Sequence, residues 1–128
     1  MRLLLDTHTL LWWFAGDSRL SPRSRDAIGN SDNEVLVSAA SAWEIATKHR
    51  LGKLPEADAL VRDLPGAIAS QAFGELPVSV AEAIRAGALP GPLRDPFDRM
   101  LVAQALTRDL VLVSNEAVFD RYGAGRLW

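Results

Sequence analysis

The chain has 128 residues, 48% of them apolar and 23% charged, with a formal net charge of −2 and no cysteine. Such a length suits one compact domain over 1–128, and such a composition excludes a long disordered segment. The missing cysteines exclude a disulfide framework and a thiolate zinc site, and the slight acidity gives no whole-chain electrostatic argument for a nucleic-acid partner, so charge has to be read locally.

The opening MRLLLDTHTLLWWFAG has the outline of a leader peptide, but Asp6 and His8 interrupt its apolar stretch. No run reaches the roughly eighteen apolar residues of a membrane span, so the segment reads as part of the fold, with no membrane role and the cytoplasm as the expected location. Leu3 to Leu5 predict a strand ending at Asp6, and Leu10 to Phe14 predict a helix ended by Gly16. Ser21 and Pro22 announce a second helix as cap and first residue, and Asn30 to Asn33 make a polar turn. Val35 to Val37 form a β-branched strand that stops at Ser38, the cap of a long helix AASAWEIATKHRLG closed by Gly52. Glu56 to Gln71 has helical character broken at Pro65-Gly66. Phe73 to Val78 suits an edge strand because it contains Pro77, and Ser79 caps the helix VAEAIRAGAL. The spacing of Met100, Leu101, Ala103, Ala105 and Leu106 predicts a helix over DPFDRMLVAQALTRD. Strand LVLVS, a short helix from Glu116 to Tyr122 and a last strand at Leu127 and Trp128 complete the chain. Strands alternating with helices specify an α/β sandwich with a mainly parallel sheet.

In such sheets reactive groups gather at the carboxyl ends of the strands. Asp6, Ser38 and Ser114 all stand where an apolar strand run gives way to polar residues. Asp6 equally suits a helix cap. Glu44, between Trp43 and Ile45, is either an exposed residue or a carboxylate in need of partners. Asp95 suits the cap of the following helix, whereas Asp98 lies in line with Leu101, Val102 and Ala105 and points toward the strand tips. Glu116 follows the last clear strand, where a cap or first-turn acid is again the simple reading. Converging carboxylates repel one another unless a hard cation neutralises them, and oxygen-only ligands favour Mg²⁺ or Mn²⁺. The hydroxyls of Thr7 and Ser114 are placed to orient such a group, although a turn or cap role is the common one for a hydroxyl at a strand end. Trp12 and Trp13 read as core and interface residues.

The motifs LLLDTHTLLWW, VSAASAWEIATKHRLGKL, DPFDRMLVAQAL and LVLVSNEAVFDRYG, in this order, resemble those of PIN-domain toxins of the VapC type along nearly the whole chain. The resemblance implies a three-layer α/β/α fold and a metal-dependent endoribonuclease, the toxin of a toxin–antitoxin pair. It makes Asp6, Glu44 and Asp98 the catalytic and metal-holding acids, with Asp95 and Glu116 as further candidates. Where the family commonly has Thr-x-Asp, this chain has Ser114-Asn115-Glu116, a longer acid. The resemblance also implies an RNA substrate, a cognate antitoxin protein and a homodimer. Lys48, Arg50 and Arg99 are the expected contacts to the RNA backbone.

Three rivals compete. A dehalogenase-like phosphatase wants a second acid two residues after the first, and position 8 is His. A phosphoaspartate receiver wants a late lysine, and none follows Lys53. A PIN-like binding module without catalysis is the non-enzymatic alternative, kept open by Glu116.

Overall fold

Successive leucines of one strand can all be buried only if both its faces are covered, and Leu3, Leu4 and Leu5 are fully buried in β1 (Arg2–Leu5), the central strand of five. The computed structural model describes residues 1–128. Helix α1 (Thr7–Ala15) follows β1 directly and ends at Gly16, whose positive φ of 61° gives it the left-handed cap. Then come α2 (Pro22–Gly29), β2 (Glu34–Ser38) and α3 (Ala39–Arg50). A 3-10 turn (Pro55–Ala57) leads into α4 (Asp58–Arg62), α5 (Leu64–Ser70) and β3 (Gly74–Leu76). The last part contains α6 (Val80–Ala88), α7 (Pro96–Arg108), β4 (Val111–Val113), a 3-10 helix (Ala117–Tyr122) and β5 (Arg126–Leu127).

The sheet order is β3-β2-β1-β4-β5, and every neighbouring pair is parallel. The two-residue period of a strand sorts its side chains by face. Leu3, Leu5, Val35, Val37 and Val113 pack with Leu10, Ile28, Ile45 and Ile68 on one side. Leu4, Leu36 and Leu112 pack with Leu101, Val102, Ala105 and Phe119 on the other. Helices therefore cover both faces, giving the three-layer α/β/α sandwich, and each buried leucine stabilises it by about 2 kcal/mol. No helix is long and apolar enough to cross a membrane.

Three details differ from the sequence reading. The break near Pro65 falls at Asp63, because proline opens α5 and Asp63 accepts the Gly66 amide as its cap. Helix α3 ends at Arg50, and Gly52 lies beyond its cap with φ 75°. Strand β3 stops at Leu76, leaving Pro77 outside the ladder at the sheet edge, where its missing N–H is harmless.

The strand order reverses between β1 and β4. Chains leaving these two strands turn to opposite sides, opening a crevice at their carboxyl ends. Asp6 and Ser114 are the first residues past those ends.

Candidate active site

Asp6 caps α1 and also stands at the strand-end crevice. One carboxylate oxygen accepts the His8 amide at 2.9 Å and caps α1, while the other accepts the Ser114 hydroxyl at 2.5 Å across the crevice. Its own amide donates to the Val113 carbonyl at 3.1 Å, a carbonyl that also receives the Thr9 hydroxyl at 2.8 Å. The side chain is buried, and burial pushes its carboxyl above the usual range. The bonds from Ser114 and the His8 amide pull the other way, and the Glu116 charge adds to the rise.

Glu44 projects from α3 and is only 3% exposed. Its Oε1 accepts the Thr7 hydroxyl at 2.7 Å, and Ser41 stands 3.0 Å from that same hydroxyl. Its Oε2 is paired with the Lys48 ammonium one turn further along the helix. Exposure on one helix face, the simpler reading of Glu44, is thus ruled out.

Asp98 lies in the first turn of α7, behind Asp95, whose Oδ1 caps the helix by accepting the amides of Phe97 at 2.8 Å and Asp98 at 3.2 Å. The Asp98 carboxyl is pushed up to about 7, first by burial and then by the charges of Asp95, Asp6, Glu44 and Glu116. Acids from four separate segments therefore act on one another across the crevice. Asp98 itself enters no ion pair. Glu116 is exposed, and its amide donates to the Ser114 hydroxyl at 3.0 Å.

Does this set suit a hard divalent cation? The donors are carboxylate oxygens, and the charges of the neighbouring acids add to the rise at Asp98, so the chemistry fits a hard divalent cation. No three of these side chains are drawn together into a finished ligand shell. The reason is visible in their bonds: Asp6 is held by Ser114 and the His8 amide, and Glu44 by Thr7 and Lys48.

Two of the expected RNA contacts have intramolecular partners. Arg99 directs its guanidinium to the carbonyls of Ala86, Gly87, Leu89 and Leu93, tying the end of α6 to the loop before α7, so it is not free for a phosphate. Lys48 is engaged with Glu44. Arg50, in the last turn of α3, is exposed. Sequence reasoning also passed over supports. Arg126 donates to the Ser114 carbonyl at 3.1 Å while paired with Asp120. Buried Gln104 accepts the Ser38 hydroxyl at 2.6 Å and donates to the Pro77 carbonyl at 3.1 Å. A glutamine amid the apolar spacing of α7 was the one available sign of that role.

The profile of the PIN-domain family matches residues 3–125. The chain belongs to the PIN-domain family. Among its curated PIN-domain relatives, ribonuclease VapC22 of Mycobacterium tuberculosis is 31% identical over 119 residues, covering 89% of this chain and 86% of the relative. Ribonuclease VapC16 of the same organism is 40% identical over 60 residues, which cover 47% of this chain and 41% of that one. The PIN-domain fold also matches VapBC2 from Rickettsia felis bound to a promoter DNA fragment, with TM-score 0.73, 15% identity and coverage of 99% and 98% of the two chains. DNA-bound VapBC from Salmonella typhimurium gives TM-score 0.68 at 22% identity, covering 100% and 97%.

Proposed function

We propose that this PIN domain is a metal-dependent endoribonuclease and the toxin of a toxin–antitoxin pair, its activity carried by the span 1–128. The observation that carries the reading is geometric: buried Asp6 stands at the end of β1, bonded to Ser114 across the crevice beside β4, with buried Glu44 and with Asp95, Asp98 and Glu116 gathered around the same opening. The likeness to ribonuclease VapC22 supports RNA as the substrate, and the VapBC structures support an antitoxin partner.

In this reading Asp6, Glu44 and Asp98 hold Mg²⁺ or Mn²⁺, with Asp95 and Glu116 as outer carboxylates. What the cation supplies when bound is a water of lowered pKa and stabilisation of charge on the phosphodiester. The chain's own part is positional. Ser114 fixes one oxygen of Asp6 and Thr7 fixes one of Glu44, so both carboxylates face the crevice without rotamer search. Arg126 restrains Ser114 through its carbonyl. Exposed Arg50 is the RNA-backbone contact that this reading retains.

The exposed Trp43 and Val78 line a groove of about 440 Å³ together with Ala40, Ala83, Phe97 and Met100, and Trp43 and Phe97 are next in sequence to Glu44 and Asp98. An exposed apolar face of this kind supports protein partners, here a second copy of the chain and the antitoxin. The cytoplasm is the compartment in which such a pair would act.

The test is incubation of purified, partner-free protein with a panel of structured RNAs in Mg²⁺ or Mn²⁺. Cleavage abolished by EDTA and by Asp6→Asn is the expected outcome. Cleavage that persists through both controls would refute the metal mechanism, and a folded protein that binds RNA but cuts none of the panel would favour the non-catalytic module.

A further inference from the structure

Glu44 and Lys48 form the one ion pair that touches the acidic crevice. Their spacing of four residues is that of an ordinary helix-surface pair, but their setting differs. The Glu44 side chain is 4% exposed and that of Lys48 34%. A carboxylate this buried needs a cationic partner at all times, whichever cation supplies it, and removing the partner leaves an uncompensated charge. The Lys48 ammonium is held in its charged form first by the Glu44 bond, with Asp95 and Asp98 adding to the attraction. It therefore lies in the field that would draw in a divalent cation, on a flexible stem that can leave without disturbing the helix.

We propose that Lys48 is the internal counter-cation of the crevice: it holds Glu44 in place when no metal is bound and must release that carboxylate when a divalent cation takes it. This inference rests on the metal reading above. It makes Lys48 a positioning residue that sets how much cation is needed, and it explains why Glu44 is turned into an ion pair and not into a finished ligand group. The release leaves a tethered ammonium at the rim of the crevice.

The experiment is calorimetric titration of Mn²⁺ into the wild type, Lys48→Met, Lys48→Gln and Lys48→Arg, with thermal unfolding of each in EDTA. Lys48→Met should melt lower than the wild type in EDTA yet bind Mn²⁺ about tenfold more tightly, since a competing charge a few ångströms from the cation is gone. Lys48→Gln keeps a hydrogen-bond donor without the charge. It should melt closer to the wild type and show the same tightening, which preserves the test where Lys48→Met does not fold. Lys48→Arg should bind Mn²⁺ no more tightly than the wild type. A merely structural lysine would lower the melting temperature and leave Mn²⁺ affinity unmoved. Wild-type binding with no tightening in either neutral variant overturns the inference alone. Absence of Mn²⁺ binding in the wild type overturns the metal reading and the inference together.

Discussion

Replacing Asp98 with asparagine removes a charge and keeps the shape. In the metal-free protein the carboxyl is raised from the ordinary aspartate value of 3.8 to about 7. That gap corresponds to about 4 kcal/mol of preference for the neutral form. The side chain is only part-buried, so solvent screening reduces the usable figure to about 2 kcal/mol. Losing an acid from the first turn of α7 gives up about 0.5 kcal/mol of helix-dipole stabilisation. The net gain is about 1.5 kcal/mol, or about 5 °C in Tm for a chain of this size. The sign depends on pH. Because the folded value lies above the unfolded one, Asp98 imposes no penalty below pH 4. The penalty grows between pH 4 and 7 as folding takes up a proton, and it is complete above pH 7. Thermal melts in EDTA should therefore show Asp98→Asn above the wild type at pH 8 and level with it, or slightly below, at pH 4. Excess Mn²⁺ should reverse the order at pH 8, since only the wild type keeps the full set of carboxylates. An equal difference at both pH values would refute the reasoning, for it would mean that packing and not charge separates the two proteins.

Ser114→Ala removes the hydroxyl between Asp6 and the Glu116 amide; urea denaturation should show a loss of about 1–3 kcal/mol. Arg99→Lys keeps the charge but cannot reach the four carbonyls together. It should lose about 2 kcal/mol in the same assay with RNA affinity unchanged, and a fall in affinity at constant stability would restore Arg99 to the substrate. Gln104→Leu leaves the Ser38 hydroxyl and the Pro77 carbonyl without their partner. A destabilisation of about 1–3 kcal/mol is expected, with faster amide exchange in the segment joining β3 to α6.

Much of this architecture is legible because strands and caps are local. The run Leu3–Leu5 before an aspartate, the Ser21-Pro22 pair and the Asp95-Pro96 pair each carry their own instruction, and each begins an element where expected. Asp6 and Asp98 are readable as candidate site residues because an acid at the edge of an apolar pattern needs a reason. The partners of Lys48 and Arg99 are hidden from the sequence for the opposite cause. A cation on a helix looks solvated, and whether it meets water, a carboxylate or a ring of carbonyls depends on which segments fold against it. The four-residue step from Glu44 to Lys48 was a usable hint. Nothing local tells Arg99 that the carbonyls of residues 86, 87, 89 and 93 will face it. Likewise Glu82 signals its capping box with Ser79, but its pairing with Arg108 at 2.7 Å depends on how α6 meets the end of α7.

The reversal of strand order beside β1 governs when the acidic crevice can be assembled during synthesis. The first acid is made at residue 6, but the hydroxyl that orients it comes at residue 114, and the carbonyl that anchors both Asp6 and Thr9 comes at residue 113. A nascent chain still lacking β4 has its central strand open along one side and Asp6 without its support. Chains released before that point would therefore lack the crevice, which is completed only with the final tenth or so of the polypeptide.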